Sequence, residues 1–135
     1  MLFRSIGVIP RMLVEREVAN KALTDLRVVN SMHERKARMA DLADAFLALP
    51  GGFGTWDELF EILTWTQLGI QSKPVALVNV ERYWDPIVQQ TSHAAASGFM
   101  KPVHAELLRH APTPSAALDL LLAPVPLPTP KWSSK

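Results

Sequence analysis

An α/β fold on a parallel sheet is predicted by three features: short apolar runs alternating with stretches of helical periodicity, a glycine turn joining one run to the next helix, and short connections. Ser5 to Ile9 reads as a strand ended by Pro10, and Leu26-Arg27-Val28-Val29 as a second, with a polar, mixed stretch between them. Ser31 and Glu34 have the S-x-x-E spacing of a capping box, which starts a helix running to about Ala43. The run Asp44 to Leu49 is short, continuous and apolar, as suits a strand buried on both faces of a parallel sheet. Trp56, Leu59, Phe60 and Leu63 then recur at helical spacing, predicting a helix from Thr55 to Leu68 that stops at Gly69. Lys73-Pro74 turns the chain back into a strand from Val75 to Val80, which completes a β-α-β unit. A helix from Asp85 to about Ala96 ends at Gly98, and Ser115 to Leu122 forms a last short one.

At 135 residues the chain is one domain's worth. Apolar residues at 48% and charged residues at 20% are the balance of a soluble globular protein. A net charge of +1 supplies no broad basic field for nucleic acid. The absence of cysteine excludes disulfides, thiolate zinc sites and cysteine nucleophiles, and is compatible with a cytoplasmic protein. The apolar run within Met1 to Pro10 is too short and interrupted for a signal peptide or membrane span, so a soluble chain is expected. Six of the eleven prolines lie between Pro112 and Pro130, so residues 123–135 are expected to be a disordered, proline-rich tail after a domain of residues 1–122. A doubly wound nucleotide-binding sheet usually opens with a strand and a glycine-rich turn. No such turn precedes residue 50, so the first β-α units are expected to be lacking.

The chemistry concentrates in Pro50-Gly51-Gly52-Phe53-Gly54-Thr55-Trp56-Asp57-Glu58, where an apolar strand meets a helix with acid in its first turn. Thr55 and Glu58 have capping-box spacing, which explains two residues and leaves three glycines. A tight strand-to-helix turn commonly needs one glycine. Gly51, Gly52 and Gly54 together point to close approach of a ligand and capture of an anion by the helix's free N–H groups. The pattern is neither G-x-x-x-x-G-K-[ST] nor G-x-G-x-x-G, which disfavours triphosphate hydrolysis and standard dinucleotide binding.

A second constellation is Met32-His33-Glu34-Arg35-Lys36-Ala37-Arg38-Met39. By spacing alone its charges form a solvated face, with Glu34 and Arg38 an i,i+4 pair. Topology favours more: the helix N-terminus falls along the edge where strand C-termini of a parallel sheet bind ligands, and there Arg35 could meet Glu58 over a phosphate ester. His33, His93, His104 and His110 lack metal-ligand spacing, no G-x-S-x-G elbow occurs, and no lysine sits in an apolar run that would suit Schiff-base chemistry. Trp56, Phe60 and Trp65 read as core or dimer-interface residues, and Phe53 as a loop-tip aromatic able to reach a base.

The pair Met32-His33-x-Arg35-Lys36-x-x-Met39 and Pro50-Gly51-Gly52-x-Gly54-Thr55-x-x-Glu58 resembles the LONELY GUY (LOG) family of cytokinin-activating phosphoribohydrolases, over about Gly7 to Gly98. Sequences of this kind also carry the label of possible lysine decarboxylases. The resemblance implies a Rossmann-like three-layer fold and a homodimer. It also implies hydrolysis of the N-glycosidic bond of adenine-type nucleoside 5′-monophosphates, cytokinin ribotides and AMP, to free base and ribose 5-phosphate. On it, Arg35 and Glu58 fall on the catalytic pair. Glu17, Lys36, the turn residues Gly51, Gly52, Phe53, Gly54 and Thr55, and Thr64 fall on substrate-contact positions. A carboxylate near C1′ suits an oxocarbenium-like transition state, and Arg35 would either orient Glu58 or hold the phosphate; no metal or redox cofactor is required. Family members carry an N-terminal strand with a Gly-Ser-Ser turn and a later glycine-rich turn that this sequence lacks. A non-catalytic nucleotide-binding or carrier module and an inactive fragment with an unpaired sheet edge are the alternatives.

Overall fold

The structure is a computed structural model that describes residues 4–14, 16 and 22–123. It divides into two compact units, Met1–Ala43 and Asp44–Lys135, each described by itself. The proline-rich tail from Pro124 onward lies outside the described residues.

In the first unit, β1 (Ile6–Pro10), α1 (Arg11–Val14), β2 (Asp25–Val29) and α2 (Met32–Leu42) follow in order. The two strands run parallel, with Ile6 opposite Asp25 and Pro10 opposite Val29. The strand ends at Pro10 as expected, with Pro10 itself its last residue, and α1 was not legible in the polar stretch that follows it. A reciprocal pair of bonds fixes the register where the strands begin: the Ser5 N–H donates to the Thr24 hydroxyl at 3.1 Å and the Thr24 N–H to the Ser5 hydroxyl at 3.3 Å. Ser31 caps α2 by accepting from the Glu34 N–H at 3.1 Å. The Glu34 carboxylate reaches past the cap to the Asn30 N–H at 2.8 Å, so the box closes one residue further out.

The second unit comprises β3 (Phe46–Ala48), α3 (Phe53–Gln67), β4 (Val75–Val78), a 3₁₀ turn at Val80–Arg82, α4 (Asp85–Ala96), α5 (Pro102–Ala105), β5 (Arg109–Ala111) and α6 (Pro114–Leu122). Its sheet has the order β3-β4-β5, all parallel, with Phe46 opposite Val75 and Ala76 opposite Arg109. The strand buried on both faces is β4, whose four residues are all buried. The expectation that the Asp44 to Leu49 run would be that strand is overturned. β3 lies at the border of this three-stranded sheet, half-buried, with Leu47 exposed, because only β4 has a strand on either side. Ala76 and Val78 pack with Ala111 against Ala117 of α6, and the small side chains let the helix sit close to the sheet. Val75 and Leu77 alternate to the opposite face and are buried too, so helices flank a Rossmann-like parallel sheet.

Two glycines end helices as expected. Gly69 (φ 74°) follows α3 and Gly98 (φ 81°) follows α4. In each the next N–H reaches back to a carbonyl five residues earlier: Ile70 to Trp65 at 2.8 Å, and Phe99 to Ala94 at 2.9 Å. No helix among the described residues is long and apolar enough to cross a membrane.

Candidate functional site

The glycine turn leaves β3 at the C-terminal end of the strand, the edge at which parallel α/β sheets bind ligands. Helix α3 begins at Phe53, two residues earlier than its periodicity suggested, with Gly52 as N-cap in an extended conformation (φ −98°, ψ −152°). The Trp56 N–H bonds to the Gly52 carbonyl at 3.0 Å, and the Phe53 and Trp56 rings meet edge to face at 5.3 Å, which favours the early start. Two expectations are corrected by this shift. Thr55 is not the cap of a capping box, and Gly52 makes no side-chain cap bond. The first turn of α3 also carries no acid, since Asp57 and Glu58 lie in its second turn. No carboxylate of the helix itself offsets the positive end of the dipole, which favours an anion there.

The three glycines have different reasons. A Cβ on Gly51 would stand 2.2 Å from Thr55 Oγ1 and 2.9 Å from Thr55 Cβ, so this position is closed to side chains by packing. Gly52 and Gly54 would meet nothing within 4 Å. Neither has a positive φ, so neither packing nor backbone conformation within the described chain demands glycine there. Their open faces suit a ligand that approaches the main chain. Glu58 is half-buried and one helical turn beyond Gly54, about 6 Å along the axis. Phe53 is the first residue of the helix rather than a loop tip, and is 84% exposed.

Thr64 stands about 18 Å along the axis from Gly52. It is exposed, and its hydroxyl donates to the Phe60 carbonyl at 2.7 Å, so the turn and Thr64 are not brought together. Arg35 and Lys36 occupy the start of α2 in the first unit, both half-buried. Glu17 lies outside the described residues.

The loop after β4 was missed from sequence, yet it borders the same turn. The Tyr83 hydroxyl donates to the Gly51 carbonyl. Asn79, buried at the end of β4, organises this loop: its N–H donates to the Ala111 carbonyl at 2.7 Å, its Oδ1 accepts from the Trp84 N–H at 2.7 Å, and its Nδ2 donates to Asp85 Oδ1 at 2.8 Å. Arg82 Nε donates to the other Asp85 oxygen at 2.6 Å. These donors, Asn79 first and Arg82 second, hold the Asp85 carboxyl below its ordinary pKa. Glu81 and Arg82 both adopt left-handed backbone, at φ 48° and 63°. That conformation is uncommon outside glycine, asparagine and aspartate, so the residue types gave no signal of it. The one available signal was Asn79 directly after a fully apolar strand.

A family model described as possible lysine decarboxylase matches residues 3–121. The chain is 49% identical over 108 residues to the cytokinin riboside 5′-monophosphate phosphoribohydrolase LOG of Oryza sativa subsp. japonica, covering 80% of this chain and 45% of that protein. It is 46% identical over 108 residues to the phosphoribohydrolase of the same description, LOG3, of Arabidopsis thaliana, covering 80% and 50%. It is 44% identical over 116 residues to a probable cytokinin riboside 5′-monophosphate phosphoribohydrolase, LOGL2, of Oryza sativa subsp. japonica, covering 86% and 48%. The chain thus spans about half the length of the curated relatives it matches. Matched from residue 3 to residue 121, it belongs to the family described as possible lysine decarboxylase, the LOG family that its two motifs resemble.

Proposed function

We propose that this protein hydrolyses the N-glycosidic bond of adenine-type nucleoside 5′-monophosphates, cytokinin ribotides and AMP among them, releasing the free base and ribose 5-phosphate. The observation that carries the reading is the glycine turn: two open glycines, a helix start without acid, and Glu58 one turn further on. The 5′-phosphate is held by the N–H groups that open α3. Glu58 then lies about a ribose length away, where its carboxylate stabilises the positive charge that develops at C1′ and orients or deprotonates the attacking water. The C1′–N bond breaks, the water oxygen bonds to C1′, and a water proton passes to the departing base. By the family resemblance Arg35 is the second member of the catalytic pair and Lys36, Glu17 and Thr64 are substrate-contact positions, and the enzyme works as a cytoplasmic homodimer.

Decarboxylation of lysine is disfavoured by the side chains themselves. A Schiff-base lysine needs a desolvated seat, and no lysine among the described residues is buried. The test supplies purified protein with AMP and an N6-isopentenyl analogue and measures ribose 5-phosphate. Glu58→Gln is expected to lower the rate at least about a hundred-fold while nucleotide binding persists. Undiminished turnover in that variant would remove Glu58 from the mechanism, and binding of AMP without release of base would make the protein a nucleotide-binding module.

A further inference from the structure

We infer that Tyr83 is a positioning residue for this site, a latch that sets the direction of the Gly51–Gly52 peptide and through it a donor offered to the substrate phosphate. The inference rests on the hydrolase reading above for the identity of the ligand. Its physical basis is separate and lies in the β4–α4 loop.

A peptide between two glycines has no side chain to restrict its rotation, so it is the least constrained unit of the turn. In a trans peptide the carbonyl of one residue and the N–H of the next point in opposite directions. The Tyr83 hydroxyl donates to the Gly51 carbonyl, which fixes the Gly52 N–H on the other side. That N–H belongs to the N-cap of α3, one of the groups with no partner inside the helix. Rotation of the same peptide would instead present a carbonyl oxygen, which repels a phosphate.

The loop positions Tyr83 mainly through its neighbours. Trp84 is fully buried, and its ring meets that of Tyr83 edge to face at 5.1 Å. Asn79 accepts from the Trp84 N–H and, with Arg82, grips Asp85. The left-handed pair Glu81 and Arg82 immediately precedes Tyr83. Non-glycine residues persist in that region only where their surroundings over-determine them, and here the surroundings are the network that delivers the phenol to the turn.

The test compares wild type with Tyr83→Phe, which keeps the ring and removes the donor. Ribose 5-phosphate affinity is read from the amide shifts of Gly52 and Gly54, alongside KM and kcat for AMP and the thermal midpoint. The expected result is a 5- to 10-fold rise in both the ribose 5-phosphate Kd and KM, with kcat within about two-fold and an unchanged midpoint. Unchanged Kd and KM would overturn the inference, as would a fall in kcat and midpoint together, which marks a merely structural contact. A wild type that binds the ester without releasing base removes the hydrolase reading alone and leaves the latch measurable by Kd. A wild type that binds no phosphate ester overturns both.

Discussion

Gly51, Gly52 and Gly54 look alike in sequence, but their neighbours separate them. Gly51 is closed by Thr55, whereas Gly52 and Gly54 face open space. Gly51→Ala must displace the Thr55 side chain at its Cβ, and should cost about 1–3 kcal/mol of stability, seen as a lower thermal midpoint. Gly54→Ala lies within the first turn of α3, where alanine is the better helix former, so its midpoint should hold or rise by up to about 1 kcal/mol of stability. On the proposed function the same methyl group would stand in the path of the substrate phosphate, and ribose 5-phosphate affinity should fall at least roughly ten-fold by titration calorimetry. A Gly54→Ala protein with full affinity would show that the open face is not used. In the sequence the three glycines read alike as candidates for ligand approach, and that Gly51 serves packing was legible only once Thr55 was placed.

At the scale of elements, boundaries set by local rules were readable and those set by neighbours were not. Gly69 and Gly98 stop their helices because their positive φ suits only a residue without Cβ at no cost, and Ser31 starts α2 through its own hydroxyl. The start of α3 escaped the reading because Thr55 and Glu58 imitate a capping box while Gly52 caps without a side chain. β5 is three residues long, Arg109-His110-Ala111, and two of the three are polar, so no alternation could reveal it; it exists by pairing with β4. The β4–α4 loop yields a prediction of its own. Asp85 has a folded-state pKa below its ordinary value, so its contribution to stability is complete above the unfolded pKa of about 3.9 and is lost as pH falls through the lower folded one. Asn79→Ala removes the leading donor and should move the Asp85 carboxyl, followed by carbon-detected NMR titration, back toward the ordinary value. An unmoved titration would assign the depression to Arg82.

For the molecule as a whole, the α/β class was legible from alternation alone, whereas the rank of its strands was not. Apolar runs of similar length precede α3 and follow it, and only pairing on both sides made β4 the buried one. Leu77 is fully buried there, so Leu77→Ala should cost about 2–5 kcal/mol, read as a lower denaturant midpoint at an unaltered slope. A much smaller loss would mean that the face opposite α6 is loosely packed. The bond from Tyr83 to Gly51 has a different kind of consequence, one for evolutionary change. Its acceptor is a main-chain carbonyl, which every amino acid possesses, so position 83 asks nothing of the side chain at position 51. The identity of residue 51 answers instead to Thr55, whose hydroxyl occupies the space a Cβ would need. Across diverging homologues, substitutions at 51 should therefore track those at 55, while the phenol at 83 persists without a covarying partner.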